Sequence, residues 1–132
     1  MDCIFCKIVN KEIPSKVLYE DDKVIAILDL SQATIGHTLV IPKAHYENIF
    51  EIKEDDYIHL MKVVKMLALK LKTNLGASGI NILNNNGSSA GQTVMHYHVH
   101  IIPRYKDDDV KILFTDHSKQ VNLDDILAKC LK

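Results

Sequence analysis

The stretch HYHVHIIPR, residues 96–104, sets three histidines two residues apart and places apolar or aromatic residues between them. Successive side chains of an extended strand point to opposite faces. We therefore expect His96, His98 and His100 on one face of a strand and the intervening side chains on the other. The pattern predicts a strand with one face for chemistry and one face in the core.

Size and composition favour a single globular domain. The chain has 132 residues, of which 47% are hydrophobic and 25% charged, as in soluble proteins. Its formal net charge of -1 argues against a nucleic-acid polymer as partner. No apolar run approaches the length that crosses a bilayer, and Asp2 and Cys3 directly after Met1 are not a signal-peptide start. We expect a cytoplasmic protein without a membrane partner.

The remaining patterns predict an α+β domain. Apolar positions recur every three or four residues over 54–75, which predicts one long helix ending before Gly76. Asn122 is a predicted N-cap of a short last helix. Cys130 is predicted to be buried, and Asp107, Asp108 and Asp109 to form a solvated turn. About five strands, mainly antiparallel, are predicted at 17–20, 24–29, 37–41, 79–83 and in the histidine stretch.

Three interpretations of the histidines are open on the residues alone. They can lie on a solvated sheet face, or bind a metal with an open position for water, as catalytic zinc requires. Alternatively one of them attacks phosphorus, since a neutral imidazole is a good nucleophile near pH 7. The polar loop NNNGSSAGQT, residues 84–93, favours the third, because its side-chain and backbone donors suit a phosphate.

Cys3 and Cys6 form a C-x-x-C pair, which is too closely spaced for a disulfide framework. A thioredoxin-type redox pair would open a helix after a core strand, and no strand is predicted before Cys3. Two thiolates and two histidines would instead make the closed tetrahedral set of a structural zinc site, and His45 and His96 are available. Both interpretations stay open on these residues.

The segment GQTVMHYHVHII, residues 91–102, resembles the signature of the histidine triad (HIT) family of nucleotide hydrolases and transferases. The stretches CIFCKIVNKEIPSKVLYEDDKVIAILDL and GHTLVIPKAH are similar to the N-terminal half of that family, in the same order. The likeness covers about residues 3–105. It implies a HIT-like fold, with a single domain over 1–132, a core at 1–105 and a variable C-terminal segment at 106–132.

The resemblance also implies a role for each matching residue. His98 matches the nucleophile, which attacks an α-phosphorus and forms a nucleotidyl-histidine intermediate, and Gln92 matches a residue beside the scissile bond. The zinc-carrying bacterial-type branch implies one structural zinc ion per chain, held by Cys3, Cys6, His45 and His96. The other implied residues bind the nucleotide: His37 and His100 near phosphate, Asn85 and Thr93 in the polar loop, Asp29 at the ribose, and Phe5, Ile8 and Leu28 around the purine.

By this resemblance we expect hydrolysis or nucleotidyl transfer on purine nucleoside phosphoramidates or related nucleoside 5'-phosphate conjugates. Cleavage of dinucleoside polyphosphates is the alternative reaction, and a non-catalytic nucleotide sensor is the alternative class of protein. Members of the family are homodimers whose sheets join across a two-fold axis, and we expect the same here. The chain has no tryptophan, and Met95 replaces the aromatic residue common before the first histidine. The resemblance therefore leaves the physiological substrate open.

Overall fold

A computed structural model describes residues 2–106 and 110–132 of the chain. Within these residues the α-helices are α1 (Ile4–Val9), α2 (Glu54–Leu75) and α3 (Leu123–Cys130). The strands are β1 (Val17–Glu20), β2 (Val24–Leu28), β3 (Thr38–Pro42), β4 (Gly79–Leu83) and β5 (Val99–Arg104). Short 3₁₀ turns occupy Ser88–Ala90 and Ser118–Gln120. The α+β class and the long helix are confirmed.

The five strands form one antiparallel sheet in the order β1-β2-β3-β5-β4. Strand β5 lies between β3 and β4, with His100 opposite Leu39 on one side and opposite Leu83 on the other. The histidine stretch therefore enters the sheet at an interior position. Strand β4 is an edge strand.

Each face of the sheet packs against a different helix. Tyr97, Val99 and Ile101 are buried in a cluster with α2. The opposite face packs against α1 in a second cluster that includes Phe5 and Ile41. His96 and His98 contact Phe5 and so lie on the α1 side. The predicted separation of histidines from core residues is confirmed, and the histidine face is itself covered by a helix.

The strand limits differ from the prediction at three places. Strand β5 begins at Val99, because the backbone just before it bonds to a loop, with the Tyr97 N–H donating to the Tyr46 carbonyl at 2.6 Å. Strand β3 includes Pro42, which pairs with Val24. Strand β2 ends at Leu28 rather than at residue 29.

Helix α2 has the ends that its sequence predicts. Three acidic residues fill its first turn, where they interact favourably with the helix dipole, and Gly76 ends it in a left-handed conformation with φ 71°. The tip of the β1-β2 hairpin is held to this helix by Asp21, whose carboxylate contacts the ring of His59 on α2 at 2.7 Å. The same carboxylate accepts a hydrogen bond from the hydroxyl of Tyr19 on β1.

Residues 110–132 are exposed along almost their whole length. Asn122 caps α3 as predicted, accepting from the Asp125 N–H at 3.2 Å. Cys130 is exposed, so the prediction that it is buried is wrong. The predicted turn at Asp107, Asp108 and Asp109 lies outside the described residues. The division into a core and a variable segment within one domain stays a prediction.

Within the described ranges, no helix combines the length and the apolar character needed to cross a membrane.

Candidate functional site

Four metal-binding side chains meet where α1, the end of β3 and the segment before β5 come together. Their donor atoms all lie within 4.8 Å of one another. Cys3 caps α1 and Cys6 lies in its first turn, so the short helix presents both thiols to one point. The group consists of Cys3, Cys6, His45 and His96.

The distances between the donor atoms of this group fit a tetrahedrally coordinated metal ion. The Nδ1 atom of His96 lies 3.4 Å from Cys3 Sγ, 3.5 Å from Cys6 Sγ and 3.0 Å from His45 Nδ1. Cys6 Sγ lies 3.4 Å from His45 Nδ1. Zinc bonds of about 2.0–2.3 Å in tetrahedral geometry place neighbouring donors about 3.5 Å apart. The four residues can therefore hold such an ion with all four positions filled by protein.

The protonation of His96 also suits a metal. Its Nε2–H donates to the Pro42 carbonyl at 2.8 Å, which leaves the Nδ1 lone pair facing the two thiols. Burial lowers the pKa of His96 to about 4, so the ring is neutral near pH 7. Burial raises the pKa of the Cys6 thiol, and a bound cation would supply the charge that a thiolate needs there.

One ring nitrogen of His98 is committed to a backbone hydrogen bond. Its Nδ1–H donates to the His96 carbonyl at 2.7 Å, so Nε2 carries the lone pair. Burial lowers the pKa of His98, opposed by that hydrogen bond and by the charge of Asp29. The side of the ring is covered by Phe5, with ring centroids 5.0 Å apart. A neutral imidazole with a single available nitrogen is the form that can attack phosphorus.

A second group, Asp29, His37 and His100, lies beside His98. His37 Nδ1 accepts from the Ala33 N–H at 3.1 Å, so neutral His37 carries its proton on Nε2. That Nε2–H faces His100 Nδ1 at 2.8 Å and the Asp29 carboxylate at 3.6 Å. His100 then carries its own proton on Nε2. This group does not fit a cation, because the His37 atom that faces the other two bears a proton.

The loop between β2 and β3 is organised by Gln32, a residue that the sequence did not single out. Its Nε2 donates to the His37 carbonyl at 2.8 Å and to the Asp29 carbonyl, and its Oε1 accepts from the Gly36 N–H at 2.8 Å. Gly36 has φ 96°, and an added Cβ would clash with Leu75. These contacts fix His37 and Asp29 relative to each other. A glutamine in a loop carries no spacing signal that could have identified it.

The two side-chain amides of the polar loop at 84–93 that the resemblance assigns to the site, Gln92 and Asn85, differ in their hydrogen bonding. The Gln92 side chain is buried and fully used, with Nε2 donating to the Glu47 and Val94 carbonyls and Oε1 accepting from the Gly87 N–H. Asn85 is half-buried against Gly91, and its side chain has no hydrogen-bond partner among the described residues. Asn85 is thus the amide that a ligand can reach, whereas Gln92 shapes the loop.

Two further regions complete the surroundings. Phe5, Ile8, Leu28 and Asp29 line one cleft, to which Ile13 and Pro14 also contribute although the sequence did not single them out. Thr93 is exposed and lines a separate depression beside Cys3, His45 and Met95. The cleft is apolar with a carboxylate at its edge, which suits a flat ring attached to a hydroxyl-bearing group.

The three histidines of the triad present different ring atoms to their surroundings. His96 faces the thiols, His98 presents a lone pair, and His100 presents an N–H beside it. Among the described residues the three do not converge as ligands of one ion. A nucleophile flanked by hydrogen-bond donors is what transfer of a phosphorus-containing group requires.

The chain matches the family model described as HIT domain over residues 10–107. An uncharacterized HIT-like protein of Methanocaldococcus jannaschii is 51% identical over 127 residues, which cover 96% of this chain and 97% of that protein. The adenylylsulfatase HINT3 of Arabidopsis thaliana is 40% identical over 107 residues, covering 81% of this chain and 54% of that protein.

Solved structures agree with the fold. The crystal structure of a HIT family member from Bacillus subtilis has a TM-score of 0.92 at 42% identity, covering 99% of this chain and 96% of that one. A zinc-bound histidine triad family protein from Mycobacterium smegmatis has a TM-score of 0.80 at 35% identity, covering 91% and 87%. The HIT-like fold that the sequence predicts is confirmed.

The buried neutral state of His100 should make stability depend on pH. Burial and the neighbouring His98 and His37 lower the pKa of His100 to about 4, whereas an unfolded histidine titrates near 6.5. Between these values the unfolded chain binds a proton that the folded chain does not, so stability falls as the pH falls. His100→Gln should therefore lose less stability than wild type between pH 7 and pH 5, by on the order of 1 kcal/mol.

Urea denaturation at both pH values measures this difference, with His117→Gln in the exposed tail as the matched control. Contributions of the metal-binding group are common to all three proteins and cancel in the comparison. An identical pH dependence of stability in His100→Gln and wild type would contradict the conclusion that His100 is buried in its neutral form.

Proposed function

The chain belongs to the HIT domain family, and we propose that it is a nucleotide hydrolase or nucleotidyl transferase that works through His98. Its substrates are purine nucleoside phosphoramidates or related nucleoside 5'-phosphate conjugates, cleaved at the α-phosphorus. The observation that carries the proposal is the hydrogen bond from His98 Nδ1–H to the His96 carbonyl, which leaves Nε2 free to attack.

The proposed reaction has two displacements at phosphorus. The His98 Nε2 lone pair forms a P–N bond, the bond from phosphorus to the leaving group breaks, and the leaving group departs with a proton taken from solvent. Water then forms a P–O bond, the P–N bond breaks, and the proton that water loses returns to solvent, which restores neutral His98 and releases the nucleotide. The imidazolium of the intermediate keeps its Nδ1–H on the His96 carbonyl, whose dipole stabilises the positive charge.

His100 is the proposed donor to the phosphate. With its Nδ1 facing the His37 N–H, its Nε2–H is available for a phosphate oxygen or the leaving atom. His37 fixes the tautomer of His100 by donating its Nε2–H to His100 Nδ1. The Ala33 N–H fixes the tautomer of His37 in turn. The Asn85 amide, which has no hydrogen-bond partner among the described residues, and the exposed Thr93 hydroxyl are the proposed further donors. Gln92, which the resemblance places beside the scissile bond, is proposed to hold their loop in shape through its own hydrogen bonds.

The nucleoside is proposed to bind in the cleft beside α1. Phe5, Ile8 and Leu28 supply apolar walls for a purine, and the Asp29 carboxylate can accept from both ribose hydroxyls.

We place the reaction in the cytoplasm. The reason is that Cys3, Cys6 and Cys130 form no disulfide, as is usual for proteins of a reducing compartment.

Other substrates and another class of protein serve as alternatives. Dinucleoside polyphosphates present the same α-phosphorus with a different leaving group. One relative carries the name adenylylsulfatase, which favours adding adenosine 5'-phosphosulfate to any substrate panel. A non-catalytic nucleotide sensor would use the same cleft without turnover.

A structural zinc ion is proposed at Cys3, Cys6, His45 and His96. The donor separations and the Nε2–H of His96 on the Pro42 carbonyl support it. A zinc-bound relative from Mycobacterium smegmatis supports the choice of metal. When bound, zinc supplies a tetrahedral cross-link between α1 and the strands, with no open position for chemistry.

A homodimer is proposed along the edge strand β4. An apolar groove lies between α2 and β4, lined by Ala68, Leu69, Ile80 and Ile82 and flanked by Lys65 and Lys72. An exposed edge strand beside an apolar groove is a surface that a second copy can cover symmetrically.

The nucleophile is tested with His98→Asn. The substrate panel consists of an adenosine 5'-phosphoramidate, a dinucleoside tetraphosphate and adenosine 5'-phosphosulfate. Wild type should release AMP from the phosphoramidate and form a trapped nucleotidyl adduct visible by mass spectrometry. His98→Asn should lose both, with turnover reduced by at least about 1,000-fold, because no other group replaces the nucleophile.

His59→Asn, a histidine on α2 outside the site, is the control and should keep wild-type turnover. Equal rates for His98→Asn and wild type would exclude the nucleophile. AMP binding by wild type without turnover on the whole panel would favour the sensor.

Metal content is tested by changing the thiols. Protein purified without chelator should hold about one zinc ion per chain. The double variant Cys3→Ser, Cys6→Ser should lose the ion and melt at lower temperature, whereas Cys130→Ser, an exposed cysteine on α3, should keep both properties. Elemental analysis and thermal unfolding measure the two quantities. Full zinc content in the double variant would overturn the proposal that Cys3 and Cys6 bind the ion.

The dimer is tested by sedimentation equilibrium, in which wild type should have twice the 15.0 kDa chain mass. Leu69→Glu places a charge in the groove and should shift the protein towards a single chain mass. Met66→Glu makes the same kind of change at an exposed position of α2 that does not line the groove. A wild-type mass of one chain would refute the proposal.

A further inference from the structure

The main chain of His98 lies just beyond the last backbone pair between β4 and β5. Strand β4 ends at Leu83, which is opposite His100, so the strand ladder stops before it reaches His98. Asn84 follows directly, and its side-chain Nδ2 donates to the His98 carbonyl at 2.9 Å. A side-chain amide thus holds the His98 carbonyl where the strand pairing has ended.

Asn84 is in turn fixed by a second asparagine. Asn86 Nδ2 donates to Asn84 Oδ1 at 2.6 Å, and Asn86 Oδ1 accepts from the Ile49 N–H at 2.7 Å. Because its oxygen is engaged by Asn86, the Asn84 amide must turn its N–H₂ group towards His98. Three hydrogen bonds in series therefore connect the loop before α2 to the main chain of His98.

We propose that Asn84 is a positioning residue for His98, with Asn86 as its support, and this inference rests on the proposed function. The nucleophile precedes β5 and does not share the regular pairing of that strand. Its ring bonds to the carbonyl of His96, two residues away, so the ring orientation depends on the local backbone conformation. Holding the His98 carbonyl keeps that conformation and with it the Nδ1–H tautomer.

The contacts distinguish this role from substrate binding. Both polar atoms of Asn84 already bond to protein, through His98 and Asn86. The neighbouring Asn85 side chain has no such partner among the described residues. Loss of the Asn84 amide should therefore slow attack on phosphorus and leave nucleotide affinity unchanged.

The experiment compares three changes at Asn84. Asn84→Ala removes the amide, Asn84→Asp keeps its size but removes the donor, and Asn84→Gln keeps a donor on a longer side chain. Asn74→Ala, an exposed asparagine at the end of α2, is the matched control. Each zinc-loaded protein is assayed for turnover of an adenosine 5'-phosphoramidate and for AMP affinity. The ¹⁵N chemical shifts of the His98 imidazole are recorded as well.

We expect kcat to fall by roughly tenfold or more in Asn84→Ala and Asn84→Asp, since small misplacements of reacting groups cost rates of this order. The Kd for AMP should stay within about twofold of wild type, because the amide makes no substrate contact. Asn84→Gln should recover part of the rate. The His98 shifts should report the Nδ1–H tautomer in wild type and a tautomer mixture in the two variants without a donor.

A kcat in Asn84→Ala equal to that of Asn74→Ala, with unchanged His98 shifts, would overturn the inference. So would a weaker AMP affinity with kcat unaltered, which would make Asn84 a binding residue. Should Asn84→Ala fail to fold, Asn86→Asp carries the same test, because it keeps an acceptor for the Ile49 N–H and loses the donor to Asn84.

The failure of this inference differs from a failure of the proposed function. If wild type turned over no substrate, the proposed reaction would be wrong. The ¹⁵N chemical shifts of His98 would still show whether Asn84 fixes the orientation of the ring. If wild type turned over substrate and neither rate nor shifts responded to Asn84, the positioning role alone would fall.

Discussion

The hydrogen bond from the His98 ring to the carbonyl two residues earlier is the constraint on which the site depends. A neutral imidazole has one proton, and committing it to the His96 carbonyl leaves the other nitrogen as a base. The same residue, His96, turns its own ring towards two thiols. One residue thus orients the His98 ring through its main chain and joins the Cys3, Cys6 and His45 group through its side chain.

The histidines of the site differ in chemistry because their second nitrogens meet different partners. His96 and His98 each donate to a backbone carbonyl, which frees the opposite nitrogen as a lone pair. His37 accepts from a backbone N–H instead, so its other nitrogen becomes a donor to His100. Identical side chains in and next to the sheet therefore present different atoms: a lone pair facing the thiols from His96, a lone pair from His98, and N–H groups from His37 and His100. The backbone makes the distinction, since nothing in the side chains themselves differs.

Sequence periodicity predicted most of the fold, because both helix and strand repeats are local. The limits of α2 at Glu54 and Leu75 and the five antiparallel strands follow from such repeats. The prediction that Cys130 is buried was wrong, because cysteine is a residue type that is often buried, and the type alone does not show whether anything covers it.

The site was predictable in its residue types but not in its hydrogen bonding. The alternation over 96–100 correctly separated histidines from core residues. The tautomer of each ring depends on the backbone carbonyl or N–H group beside it. Pro42 is distant from His96 in the sequence and Ala33 lies in the same loop as His37, and the residue pattern reveals neither contact. Gln32 organises its own loop, Asn84 reaches from the end of β4 to the main chain of His98, and each is recognised only once its partners are placed.

Helix α1 connects the Cys/His group with the cleft that Phe5 and Ile8 line. It has six residues, too few for a helix to be stable by itself in water. Yet it supplies Phe5 and Ile8 to the cleft, and Phe5 also lies against the ring of His98. An ion bound by Cys3 and Cys6 would fix both ends of its first turn to the strands through His45 and His96. Such an ion would lie outside the cleft and would act on it indirectly, by making a marginal helix rigid enough to form one of its walls.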